Sequence, residues 1–137
     1  MIDTTAIAGE VYDLIAANVA GIKSLEYGRI RELTTSAQMP AVDIACGSAT
    51  SQQFAGYCTW RAPITIVVRT QSTKRRAATN TARAFANTIV DVLQSQKGIT
   101  YYDVLREFVV STSDEEQAGN GATNHIAVVM CTAIKDV

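Results

Sequence analysis

The chain has 137 residues, 47% of them hydrophobic and 18% charged, with 12 basic against 13 acidic side chains and a net charge of -1. That length suits one domain spanning 1–137, able to bury roughly two-thirds of its unfolded surface and therefore in no need of staples. The balanced charge excludes a nucleic-acid binder of the wholly basic kind, though not a local basic patch.

Three cysteines, Cys46, Cys58 and Cys131, are widely spaced and form no CxxC pair. An odd number at such spacings fits neither a disulfide framework nor a zinc site. Their apolar surroundings predict reduced, buried thiols and a reducing compartment. The N-terminal MIDTTAIAGE lacks the basic and apolar regions of a signal peptide. No apolar run approaches the ~18 residues of a membrane span.

In chain order, Asp3 or Thr4 can cap a first helix. Ile7, Val11, Leu14, Ile15, Val19 and Ile22 then recur at spacings of three and four, one apolar stripe on a 3.6-residue period. Asn18 interrupts the stripe, and Gly21 is a candidate stop. Gly9, inside this helix, costs about 1 kcal/mol relative to Ala and suggests a close packing contact. Leu25 to Leu33 is expected as a charged strand, at an edge or at an interface with another subunit. After Met39-Pro40, Ala41 to Cys46 forms a second strand, with Val42, Ile44 and Cys46 on one face and Asp43 on the other. Gly47 to Gln53 is expected as a polar loop.

Tyr57 to Thr70 predicts a long strand with Pro63 in its middle, where a ladder donor is missing. Either the strand is bulged there, or its first part, Tyr57 to Ala62, projects as an edge or arm. Beyond Pro63, Ile64, Ile66 and Val68 share one face and Thr65, Val67 and Arg69 the other. Ser72 or Thr73 can cap a second helix over Lys74 to Leu93. Its apolar line is Ala78, Ala82, Phe85, Ala86, Ile89, Val92 and Leu93, and its alanines permit close approach to a sheet. Ile64, Ile66 and Val68 are expected to meet Phe85, Ile89 and Leu93. Two closing strands follow, Val104 to Ser111 and Asn124 to Ile134, separated by a long acidic loop over Thr112 to Thr123. The last strand is apolar on both faces, so it should be central or covered by a partner. The order αβββαββ predicts an α+β domain: a mainly antiparallel sheet of about 4–5 strands with two helices packed on one face.

No catalytic constellation emerges. His125 has no spacing that ties it to Cys58 or Cys131 as a base to a nucleophile, and a structural or surface role is the expectation. No GxGxxG, GxxxxGK[ST] or HExxH is present. Asp114, Glu115 and Glu116 lack the spaced ligands and glycine of a calcium loop and read as a solvated acidic segment. Lys74, Arg75 and Arg76 crowd the first turn of the second helix, where the helix dipole disfavours cations. They could meet phosphate or an acidic loop on a neighbour, or simply be a solvated helix start. The central strands carry Ile, Val, Thr and Ala rather than the interleaved aromatics and basics of an RNA-recognition sheet. Neither an enzyme nor a cofactor is therefore expected.

The order of elements is similar to that of the tail terminator (tail completion, minor tail and neck) proteins of long-tailed bacteriophages. The resemblance rests on the amphipathic first helix, Met39-Pro40-Ala41-Val42-Asp43-Ile44, the strand Trp60-Arg61-Ala62-Pro63-Ile64-Thr65-Ile66-Val67-Val68, the alanine-rich helix ending Ile89-Val90-Asp91-Val92-Leu93, and two closing strands around a polar loop. It covers nearly the whole chain in pattern, without a diagnostic motif, and Pro63 departs from the family's uninterrupted long strand. It implies a virion protein assembled in the host cytoplasm. Such a protein forms a hexameric ring on the last ring of the tail tube, stops tube growth and meets a head-side connector. DNA would pass through the lumen without sequence recognition, and no membrane would be involved. A rival expectation is a ferredoxin-like module binding a small ligand or a protein.

A ring needs two different surfaces of one subunit to meet. The candidates for subunit or tube contact are Tyr57, Trp60, Arg61, Tyr27, Arg29, Arg31, Lys74, Arg75 and Arg76, with Asp114, Glu115 and Glu116 as an acidic loop contact. Gly47 to Gln53 and Thr112 to Thr123 are candidate lumen loops.

Overall fold

A computed structural model describes residues 2–28, 39–72, 75–95, 101–116 and 123–136. The elements are α1 (Thr4–Asn18), β1 (Ser24–Tyr27), β2 (Ala41–Cys46), β3 (Thr50–Phe54), β4 (Tyr57–Ser72), α2 (Arg75–Ser95), β5 (Val104–Glu116) and β6 (Thr123–Asp136). The strands form one six-stranded sheet in the order β1-β2-β4-β6-β5, with β3 also paired to β4. Every pairing is antiparallel except β1 with β2. The fold is α+β as expected, with one strand more than the sequence suggests.

The Asp3 carboxylate caps α1, accepting the Ala6 N–H at 3.0 Å and satisfying one of the donors a helix start leaves free. Ile7, Val11 and Ile15 are fully buried along its inner stripe. The helix ends at Asn18, ahead of Gly21, and the Asn18 side chain donates back to the Leu14 carbonyl at 2.8 Å. On α2, Ala82, Ala86, Ile89 and Leu93 are buried. Both helices lie over one face of the sheet, where Val42, Ile44, Ile64, Ile66, Val68, Ala127, Val129, Cys131 and Ala133 complete a single core. Ile64, Ile66 and Val68 share one core with Ile89 and Leu93 of α2, and Phe85 packs against that core, as expected. Phe85 is half-buried and its ring also lies near Gly21, where a Cβ would be 3.5 Å from it.

Three expectations need correction. The segment Gly47 to Gln53 is not all loop: Thr50–Phe54 is a strand and pairs with Tyr57–Arg61 as a hairpin. Thr50, Ser51, Gln52 and Gln53 are exposed, so this edge strand carries none of the apolar alternation by which half-buried strands announce themselves. Likewise β5 runs on to Glu116, so much of the expected acidic loop is strand. Ser111, Thr112 and Ser113 are all exposed, and the same absence of alternation hides them.

Pro63 does not break β4 either, a strand of 16 residues. Its carbonyl accepts the Gly47 N–H at 2.8 Å. The N–H and C=O of one strand residue point to the same side. The donor that proline lacks would therefore face the junction where β2 gives way to β3, not the β6 ladder. Gly47 makes this approach possible: a Cβ there would lie 2.8 Å from the Pro63 ring. Tyr57 to Ala62 is thus no free arm, since β3 flanks it on one side and Thr59 to Ala62 pair with β6 on the other.

Candidate assembly surface

The two faces of the sheet are built differently. Opposite the helices, side chains from β2, β4, β5 and β6 divide into a closed half and an open half. In the closed half Ala41, Asp43, Val67, Arg69, Asn124 and Ile126 are buried. Asp43 lies on the face opposite Val42 and Ile44, as expected, and there its carboxylate is fully buried and accepts the Arg69 guanidinium at 3.0 Å. The register sets Ala41 opposite Arg69 and Asp43 opposite Val67, so the pair meets diagonally across two strands. A charge with no access to water persists only when paired in this way. Beside it the Gln71 amide donates to the Asn124 side chain at 2.9 Å.

The open half begins one register step further along. Val109 and Met130 stand opposite each other, and Met130 in turn opposes Thr65. Val109 is 58% and Met130 49% exposed. A β-bulge interrupts the β5–β6 register between Arg106 and Val109, and Glu107 within it has φ 61. That left-handed conformation is uncommon for a residue with a Cβ, and a bulge re-aims the side chain it carries. Glu107 reaches across β6 to an ion pair with Arg61 and accepts the Thr132 hydroxyl at 3.0 Å. Hydrogen bonds from Arg61 and then Thr132, followed by the Arg61 charge, hold the Glu107 carboxyl below its ordinary range. A lowered carboxylate strengthens its pairing above that range and loses it as pH falls through the folded-state value. The surface is an apolar strip bordered by a fixed polar cluster.

The expected contact residues are distributed unevenly. Tyr57 is 75% exposed and follows the hairpin turn. Arg61 lies on the open face, bound to Glu107. Trp60, expected as an exposed aromatic, is half-buried and packs against the core from the helix side, because one residue along a strand reverses the face. Tyr27 is 48% exposed, and its ring packs on Tyr12 with centroids 5.2 Å apart. Arg29, Arg31 and Lys74 lie outside the described residues. Arg75 and Arg76 open α2, and Asp114, Glu115 and Glu116 close β5 opposite His125, Asn124 and Thr123; their side chains lie outside what is described. Since Ser72 also opposes Thr123, the basic and acidic segments share one end of the sheet within a single chain. The sequence reading missed Glu107, Val109 and Met130 as surface groups and the Asp43–Arg69 pair. The run Phe108-Val109-Val110 was a visible apolar signal, but the register shift beside it, after which Val109 stands exposed opposite Met130, was not.

On the helix side, a shallow groove of about 380 Å³ runs between the end of α1 and α2, lined by Val19, Ala20, Asn80, Thr81, Ala84, Phe85 and Thr88. None of these carries a charge with which to anchor an ionic ligand. Burial pushes the Cys46 thiol up to about 11, and burial with the nearby Cys46 pushes Cys131 up to about 12, so neither supplies a thiolate nucleophile near neutrality. Among the described residues no cluster of His, Cys, Asp or Glu is placed to hold a metal ion, and no helix is long and apolar enough to cross a membrane.

No protein-family model matches the chain, and no curated protein matches it. Among solved structures it resembles a chain of the virion of a native gene transfer agent particle. That likeness has a TM-score of 0.49 and 12% sequence identity, covering 90% of each chain. Agreement at that level carries no argument about function.

Proposed function

We propose that this chain is a structural virion subunit of the tail terminator type. In this reading copies form a ring, hexameric as the sequence resemblance implies, that caps the tail tube and offers a second surface to a head-side connector. The observation that carries it is the open half of the sheet, where Val109 and Met130 stand 58% and 49% exposed beside the Arg61–Glu107–Thr132 cluster. Apolar strips rimmed by fixed polar groups are characteristic of surfaces that meet another protein. The groove beside α2 offers much less to the rival small-ligand module, having no charged anchor.

The test replaces Val109 with lysine and Met130 with glutamate. The two stand opposite each other across the ladder, where opposite charges are accommodated, so Val109→Lys with Met130→Glu should leave the subunit folded. Particles made with the variant should carry tubes of uncontrolled length or tails without heads, as should particles lacking the protein altogether. Tails of normal length, joined to heads, in both cases would overturn the proposal.

A further inference from the structure

Three borders of the sheet are open among the described residues, those of β1, β3 and β5, and the hydrogen-bonding polarity of the last two follows from one bond. The Gly47 N–H to Pro63 C=O contact sets the polar groups of Pro63 toward the β2 and β3 side. Alternation along β4 then points those of Ile64 toward its β6 partner Cys131, and alternation along β6 points those of Met130 and Val128 toward β5. Their partners are Val109 and Ser111. The backbone groups of Val110 and Thr112 therefore point away from the sheet, along the outer border of β5. On the opposite side, Tyr57, Thr59 and Arg61 bond inward to Phe54, Gln52 and Thr50, so Ser51 and Gln53 point outward from β3. The hairpin confirms this assignment independently. Ala55 and Gly56 have φ 42 and 92, and such a two-residue turn closes on a hydrogen-bonded pair, here Phe54 and Tyr57.

Natural proteins guard open edges with lysine, proline, charge or a bulge. The bulge at Glu107 guards the first part of β5, but the next five residues, Val109-Val110-Ser111-Thr112-Ser113, have none of these. β3, Thr50-Ser51-Gln52-Gln53-Phe54, is equally unguarded and uncharged. The β1 border differs, being short and carrying Glu26. Thr112 and Ser51 also lie on the same side of the sheet, since their partners Ala127 and Trp60 both pack on the helix-covered core.

We infer that the outer border of β5, at Val110 and Thr112, pairs with the outer border of β3, at Ser51 and Gln53, of a second copy of this chain. The sheet would then continue from one subunit into the next. Two different borders meet, so the contact is head-to-tail, the kind of interface a closed ring requires. The inference rests on the reading of the chain as a ring subunit and says where the subunits join.

Proline is the appropriate probe, because it removes a single N–H. Val110→Pro or Thr112→Pro deletes an outward donor and should keep the fold by circular dichroism while weakening self-association at least tenfold by light scattering. Ser111→Pro, which deletes an inward bond, should lower thermal stability. In a Cys58→Ser background, copies carrying Ser51→Cys mixed with copies carrying Thr112→Cys should form disulfide-linked dimers, and neither should do so alone. Cross-linking of Thr112→Cys copies to one another, or no cross-link in the mixture, would overturn the inference even if the proline variants unfolded. Rings that form equally well from folded Val110→Pro protein would overturn the edge pairing and leave the ring reading standing. A native chain that stays monomeric at every concentration, and on isolated tubes, would overturn both.

Discussion

At the level of single residues, the side chains that matter most are those whose neighbours lie far away in the chain. Asp43 and Arg69 form a buried ion pair at 3.0 Å, and removing one partner of such a pair typically costs about 3–5 kcal/mol because the other charge is stranded. Asp43→Ala should therefore lower the midpoint of chemical denaturation sharply, whereas Asp43→Leu combined with Arg69→Met should recover most of the loss. Recovery no better than the single variant would show that the pair's additional polar contacts dominate. Gly9 behaves in the opposite way. The sequence suggests a tight contact, yet a Cβ there would sit 3.7 Å from the Tyr27 ring, an ordinary packing distance. Gly9→Ala should then stabilise the protein by about 0.5–1 kcal/mol through helix propensity alone. A loss of stability in thermal melts would mean that the Tyr12–Tyr27 packing is disturbed.

Among the elements, the β3–β4 hairpin shows how a local turn governs a long strand. Ala55 holds φ 42, a left-handed conformation that costs an L-residue roughly 1–2 kcal/mol. Asn-Gly is the favoured pair for such a turn, so Ala55→Asn should raise stability by about 0.5–1 kcal/mol, a shift that thermal unfolding can resolve. An unchanged or lower midpoint would indicate that the turn is not under this strain. The hairpin also explains which parts of the strand pattern were legible. Ile64, Ile66 and Val68 alternate because one face of β4 meets a core. β3 and the far part of β5 are exposed on both sides, and a strand without a buried face leaves no period in its sequence. Glu107 was illegible for a different reason: only a bulge, defined by pairing with β6, turns it toward Arg61.

For the molecule as a whole, two helices and one sheet enclose a single core, and cysteine reactivity reports on its integrity. Cys131 is 3% exposed and its thiol is pushed up to about 12. Its modification by a thiol reagent at pH 8 should therefore proceed only through opening of the core, at a rate that rises in step with denaturant. Rapid modification in native buffer would imply that the helix layer lifts independently of the sheet. Sequence by itself determined the α+β class, the two helices, the core strands and the apolar stripes that join them, because each of these is written as a local period of 3.6 or 2 residues. Tertiary structure alone decided that Asp43 is buried, that Pro63 sits harmlessly at a strand junction, that Trp60 turns inward, and that Val109 and Met130 remain open. Each of those outcomes depends on which strand lies alongside, and pairing between distant segments has no periodicity for a sequence to display.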